Sequence, residues 1–248
     1  PRQLPGSNKI KIFVEDKEVT ADGGFSYSQS ENVSTISGTT SDRKTLDGSL
    51  SSARFGRVRG VAAIGDESVI VFTQDNGTDV RLVSVPENKV VTIHPGFAGG
   101  VPTVTKDKSI VYVIGRATPY TIYKYLKSTG WTPSRVGQVG GNNEIISCTL
   151  DEGEEWLYFV NNQGKFQRFH LQNQTIEVIK EKLDIPGTSF HIVYHKLHDC
   201  FYVCSPSAYS IYKVERDGTA NLFSGNSNSA NSIDGPIADA QYHSPNGI

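Results

Sequence analysis

The chain has 248 residues, 24 Lys and Arg against 26 Asp and Glu for a formal net charge of −2, and 37% hydrophobic residues, values that describe a globular protein of one large domain or two smaller ones. Without a cationic excess there is no general electrostatic footprint for phosphate backbones, and no apolar run approaches the roughly 20 residues that span a bilayer. Three cysteines, Cys148, Cys200 and Cys204, are too few and too irregularly spaced for a disulfide framework or a four-ligand zinc site, although Cys200 and Cys204 could pair.

Residue 1 is Pro and Met is absent, so the chain reads as a fragment whose natural start, with any signal peptide, lies outside it. The first elements in chain order are short alternating runs. Lys9-Ile-Lys-Ile-Phe-Val14 alternates, Glu15-Asp16-Lys17 reads as a turn, Glu18-Val-Thr-Ala21 returns, and Asp22-Gly23-Gly24 leads into Phe25-Ser-Tyr27. An aromatic-x-aromatic strand after a small-residue turn is similar to the end of an IPT/TIG immunoglobulin-like domain, which sets an expected domain boundary after residue 30. The alternative is an N-terminal hairpin capping a propeller.

From residue 31 onward, Gly, Asn, Asp and Ser interrupt short β-rich runs, and no stretch sustains apolar residues at helical spacing. Two segments match without gaps at an offset of 187 residues: Ile36-Ser37-Gly38 with Phe223-Ser224-Gly225, Asp47-Gly48 with Asp234-Gly235, Ala53 with Ala240, Phe55 with Tyr242, and Gly60-Val61 with Gly247-Ile248. Between them recur Val69-Ile70-Val71-Phe72, Ile110-Val111-Tyr112-Val113, Leu157-Tyr158-Phe159-Val160 and Phe201-Tyr202-Val203-Cys204. Each run is followed by a more polar strand (Val80-Arg81-Leu82, Ile122-Tyr123-Lys124, Phe166-Gln167-Arg168, Ile211-Tyr212-Lys213) and by a third at 89–93, 135–139, 175–179 and 220–223. Each is preceded by one at 61–64, 101–104, 145–148 and 191–194. Four strands in a unit of about 47 residues is the size of a propeller blade, so the predicted fold is all-β, a β-propeller of four-stranded blades. A β-sandwich with accidental periodicity is the bland alternative.

The strings Val33-Ser-Thr-Ile-Ser-Gly38, Asp47-Gly48, Ala53-Arg54-Phe55 and Arg59-Gly60-Val61-Ala62 resemble the NHL repeat. So do Leu222-Phe-Ser-Gly225, Asp234-Gly235, Ala240-Gln-Tyr242 and Pro245-Asn-Gly-Ile248. The middle units share only strand spacing with it. The resemblance implies an NHL-type propeller over residues 31–248, six-bladed when complete and so missing about 70 residues of C-terminal sequence. Its last blade would be closed by both chain ends, with 33–36 as that blade's outermost strand. An immunoglobulin-like module feeding an NHL propeller looks like Gram-negative envelope proteins.

Catalytic motifs are missing: there is no Gly-x-Ser-x-Gly elbow, no His-Glu-x-x-His helix, no phosphate-cradling loop and no EF-hand loop. His191, His195, His198, Cys200 and Cys204 are of metal-ligand type, but extended chain puts residues 191 and 195 about 13 Å apart, too far for one ion. No metal and no cofactor is therefore expected. Asp151, Glu152, Glu154 and Glu155 around Gly153 read as a solvated hairpin turn, and Asn32, Asn76 and Asn173 begin triplets of glycosylation type that arise by chance.

Propeller ligands meet the channel face formed by loops between second and third strands and by entries to the innermost strands. Here the loops are 75–79, 116–120, 161–164 and 205–209, which offer Arg116, Tyr120, Asn161, Asn162 and Tyr209, an aromatic and amide mix suited to sugars or peptides. The expected function is non-catalytic: binding or scaffolding in the bacterial cell envelope, with a carbohydrate, peptide or protein partner and no nucleic acid. Expected localisation is extracytoplasmic, with membrane attachment only through an N-terminal lipid anchor outside the sequence. The alternative is an NHL-like propeller lyase or hydrolase with a metal in the channel, for which His191 is the single histidine in the four predicted innermost strands.

Overall fold

A computed structural model of the chain describes residues 7–14, 17–26, 34–39, 44–74, 78–141, 144–227 and 229–248, with 7–14, 17–26 and 74 described by backbone alone. Val33, Asn32, Asn76 and the tip of the 75–79 loop lie outside the described residues. Two compact units divide the chain, Pro1–Thr35 and Ile36–Ile248. In the first unit β1 (Ser7–Val14) pairs antiparallel with β2 (Lys17–Ser26). The expected turn at 22–24 is instead an irregularity inside β2, because the register jumps from Ile10 opposite Ala21 to Asn8 opposite Phe25.

The second unit contains four antiparallel sheets of four strands, each a meander in chain order. Blade one is β3 (Arg57–Gly65), β4 (Ser68–Gln74), β5 (Val80–Ser84) and β6 (Lys89–His94). Blade two is β7 (Thr103–Val104), β8 (Ile110–Ile114), β9 (Tyr120–Leu126) and β10 (Thr132–Val139). Blade three is β11 (Ile145–Leu150), β12 (Trp156–Asn161), β13 (Phe166–His170) and β14 (Ile176–Lys180). Blade four is β15 (His191–His195), β16 (Cys200–Ser205), β17 (Ser210–Val214) and β18 (Ala220–Gly225). This is the predicted all-β propeller, with four blades among the described residues.

The second strand of each blade explains why the sheets stack. Successive side chains on a strand point to opposite faces, so a strand covered on both sides must be apolar at every position. In β8, Val111 and Val113 pack with Ile70 and Phe72 of blade one, while Tyr112 and Ile114 pack with Leu157 and Phe159 of blade three. In β12, Tyr158 and Val160 turn the other way to meet Phe201 and Val203 of blade four. Each fully buried Phe or Ile contributes about 1.5–3 kcal/mol. The core is therefore a series of inter-blade layers.

The first strands of neighbouring blades lie side by side around the axis. Val101 bridges in parallel to Ser147, and its N–H donates to the Ile146 carbonyl at 2.6 Å. One blade further on, Ser147 Oγ accepts from Ile192 N at 2.8 Å and Thr149 Oγ1 accepts from Tyr194 N at 3.1 Å. Hydroxyls on β11 thus satisfy the free edge of β15, which a buried strand edge requires.

The repeat read from the sequence is a repeat of hydrogen bonds as well. Leu46 and Arg54 exchange backbone bonds at 3.1 and 3.0 Å, and their counterparts 187 residues on, Ile233 and Gln241, do so at 3.0 Å. Ser37 Oγ donates to Leu50 O at 2.7 Å, as Ser224 Oγ does to Ile237 O at 2.8 Å. Residues 34–36, expected within an outermost strand at 33–36, carry no strand among the described residues. The segment that joins the edge of β6 is Gly48, whose N–H and C=O both bond to Val90, at 3.1 and 2.7 Å.

The acidic turn joining β11 to β12 ties neighbouring blades together. Glu152 accepts from Lys106 and Lys196, each at 2.7 Å, and Arg216 reaches both Asp151 at 2.9 Å and Asp199 at 2.6 Å. All three cysteines are free, and Cys200 and Cys204, both on β16 and four residues apart, lie too far along one strand to pair.

Candidate functional site

Where the inner strands enter the channel, they leave a cavity of about 360 Å³. Glycine makes this convergence possible: a Cβ on Gly60 would lie 2.7 Å from Pro102, and one on Gly100 would run into the Ile146 carbonyl. The polar side chains lining the cavity are Arg57, Arg59, Arg116, His191 and Asn246. Three arginines therefore line one space in a chain whose net charge is −2, and the charges of two of them, Arg59 and Arg116, act on His191 there.

Arg116 follows β8 and is anchored by its backbone N–H to Ala98 O at 2.9 Å. Its Nε and Nη2 donate to Glu144 Oε1, the former at 2.8 Å, which aims the fork along the wall. Glu144 in turn offers its carbonyl to Asn162 N at 2.8 Å. Arg57 and Arg59 also engage protein groups, but a guanidinium carries five N–H donors and can hold a protein acceptor and a ligand together.

His191 opens β15 and is 8% exposed. Burial holds its imidazole below the usual histidine range of 6.5, a hydrogen bond with Asn246 opposes this, and the charges of Arg116 and Arg59 add to the depression. The ring is accordingly neutral near pH 7, and its Nδ1 is buried without a hydrogen-bond partner among the described residues. Because the folded value is lowered, His191's contribution to stability is complete above 6.5 and is lost as pH falls through the folded value. His191→Gln should therefore flatten the decline in denaturant midpoint measured between about pH 7.5 and about pH 5.

Of the residues expected at the site, Arg116 lines the cavity, and Asn162, whose Oδ1 is buried without a partner among the described residues, adjoins it through Glu144. The other three sit elsewhere. Tyr120 is 5% exposed and packs with Ile122 and Val139 between blades two and three, so its ring face is not open to a ligand. Asn161 is equally buried, and its Oδ1 accepts from Gln163 N at 3.0 Å and Lys165 N at 2.9 Å, a local turn that shapes the β12–β13 hairpin. Tyr209 caps the 3₁₀ turn Pro206–Ala208 with φ 51°, and its ring centroid is 6.5 Å from that of His243. It does not line the cavity.

Arg59 and Asn246 are not among the residues expected at the site, although each directly precedes a repeat glycine, Gly60 of β3 and Gly247, and they are related by the 187-residue offset. That position in the repeat is the signal: the residue before the glycine points into the channel mouth. Of metal-ligand types, the cavity lining carries only His191 among the described residues. At the far end of blade four, His195, His198 and Cys200 do converge, their ligand atoms all within 4.8 Å of one another. Residues 191 and 195, about 13 Å apart along β15, are not the pair the fold brings together. Among the described residues no helix is long and apolar enough to cross a membrane.

No protein-family model and no curated protein matches the chain. A solved structure from Bacteroides thetaiotaomicron, a protein of unknown function, is 43% identical with a TM-score of 0.92, over 100% of this chain and 63% of that one. An auxiliary nutrient binding protein from the same species is 17% identical with a TM-score of 0.73, over 97% of this chain and 61% of that one. Another, from Bacteroides ovatus, is 18% identical with a TM-score of 0.71, over 95% and 60%. These last two likenesses are of fold. The chain thus spans less than two thirds of the length of each of these proteins.

Proposed function

We propose that the protein captures a small acidic nutrient, a carboxylate-bearing sugar or short oligosaccharide, at the mouth of the propeller channel and releases it unchanged. The observation that carries this reading is the convergence of Arg57, Arg59 and Arg116 on one cavity, beside the neutral hydrogen-bonding pair His191 and Asn246. Guanidinium forks match carboxylates bidentately, while a neutral imidazole and an amide suit hydroxyls. The fold likeness to nutrient binding proteins of Bacteroides supports a binding role. With the resemblance to NHL repeats and to the end of an IPT/TIG domain, it supports placement on the extracytoplasmic side of a Gram-negative envelope.

Calorimetry with a uronic-acid oligosaccharide and its neutral counterpart tests the proposal. Micromolar affinity, about 8 kcal/mol, is expected for the acid and at least tenfold less for the neutral sugar. A charge-assisted hydrogen bond contributes about 1.5–3 kcal/mol, so Arg59→Gln and Arg116→Gln should each weaken acid binding by about 10- to 100-fold. Equal affinity for acid and neutral forms, or unchanged binding in both variants, would remove the cavity as an acid site. Turnover of the bound sugar would shift the reading to a lyase or hydrolase.

A further inference from the structure

The β15–β16 hairpin carries a second constellation, remote from the channel mouth by the length of β15, about 13 Å. His195 ends β15 and is the cross-strand partner of Cys200, which opens β16. Directly opposed residues of an antiparallel pair project from the same face, so imidazole and thiol lie together. Between them the 3₁₀ turn Lys196–His198 advances at three residues per turn, which returns His198 to the side of His195. The two rings are 4.7 Å apart between centroids. Asp199 closes the turn with φ 47°, and its carboxylate is occupied by Arg216 and Tyr194.

The burial of the three is graded. Cys200 is fully covered, His195 is half-buried and His198 is exposed. His195 Nδ1 is buried without a hydrogen-bond partner among the described residues, a cost that a native fold rarely leaves standing without a reason. All three ligand atoms fall within 4.8 Å of one another. Tetrahedral zinc, with bonds of about 2.0–2.3 Å, spaces its ligands roughly 3.3–3.8 Å apart, so the three atoms need to draw together by at most about 1.5 Å.

We propose that His195, His198 and Cys200 form a zinc site that staples the β15–β16 hairpin and leaves a fourth position open to water. One thiolate and two imidazoles are the borderline-soft donor set that zinc takes, and a set poor in oxygen does not suit magnesium or calcium. On binding, the Cys200 S–H bond breaks, its proton leaves to solvent and the sulfur lone pair forms the Zn–S bond, while each histidine contributes a neutral nitrogen lone pair. No electron is transferred.

The test is titration of the chelator-treated protein with Co(II), followed by displacement with Zn(II). One equivalent per chain should produce a thiolate-to-cobalt charge-transfer band that zinc abolishes. Cys200→Ser should eliminate the band. Because that substitution is buried and could disturb folding, His198→Ala, at an exposed position, is the second arm and should weaken cobalt binding at least tenfold with an unchanged circular dichroism spectrum. His243→Ala should leave the titration unaltered. Absence of the charge-transfer band in the parent protein, or unchanged affinity in His198→Ala, would overturn the proposal. A sugar-binding failure at the channel would leave these readouts untouched.

Discussion

Asp47→Ala is expected to destabilise the propeller by about 3–5 kcal/mol, because it strips the carboxylate from a guanidinium that has no access to water. Arg81, on the third strand of blade one, is 0% exposed. Its Nη1 donates to Arg54 O at 2.9 Å, and its Nη2 to Leu46 O at 2.8 Å and Asp47 Oδ1 at 2.7 Å. Asp47 also accepts from Thr92 N and Thr92 Oγ1, both at 2.9 Å, and Arg81 lies 5.1 Å from the Phe55 ring centroid. The Asp-Gly turn is thus fastened to the sheet by one buried cation, and Gly48 beside it bonds to the edge of β6. At about 2–4 °C per kcal/mol for a chain of this size, the loss should appear as a fall in Tm of at least 6 °C.

A double-mutant cycle separates the ion pair from the rest. Arg81→Met removes the buried charge while retaining an apolar stem, and the Leu46 and Arg54 carbonyls keep the backbone bonds they exchange with one another. In the Arg81→Met background, Asp47→Ala should therefore cost much less, with a coupling of roughly 1–3 kcal/mol. Simple additivity would mean that Asp47 acts through Thr92 and the turn alone.

This pair, a buried Arg81 and a half-exposed Asp47, illustrates what the sequence could and could not say. The repeat, the strand positions and the doubly covered second strands were legible, because periodicity and apolar content follow directly from which faces are buried. Asp47-Gly48 was legible as a motif, but its partner Arg81 was legible only as the polar residue of the strand that pairs with the apolar second strand. The same reasoning failed for Tyr120 and Asn161, which sit on the expected loops yet serve the core and a turn. Loop membership reports which end of the propeller a residue occupies, not whether its side chain turns inward. The roughly 13 Å between residues 191 and 195 along one strand says nothing of His195, His198 and Cys200, whose ligand atoms a 3₁₀ turn folds back together.

Gly100→Ala is expected to be the most disruptive small substitution at the channel. Gly100 N donates to Ile114 O at 3.0 Å, and its neighbour Val101 donates to Ile146 O at 2.6 Å. The residue is thus held between the second strand of its own blade and the first strand of the next, and an added Cβ would collide with the Ile146 carbonyl. A flexible side chain could move aside, whereas a backbone carbonyl in a hydrogen-bonded strand can move only by separating blades two and three. Overpacking of this kind costs about 1–3 kcal/mol, and here one blade-to-blade hydrogen bond worth about 1 kcal/mol is strained as well. Gly140→Ala is the control, since a Cβ there meets nothing within 4 Å and the change should stay within about 0.5 kcal/mol. Gly100 also lines the cavity between Arg59 and Arg116, so its substitution should weaken capture of the acidic sugar by more than the loss of folded protein accounts for. Binding measured per folded molecule decides this: an affinity equal to that of the parent would show that blade spacing at the axis sets stability without setting the site.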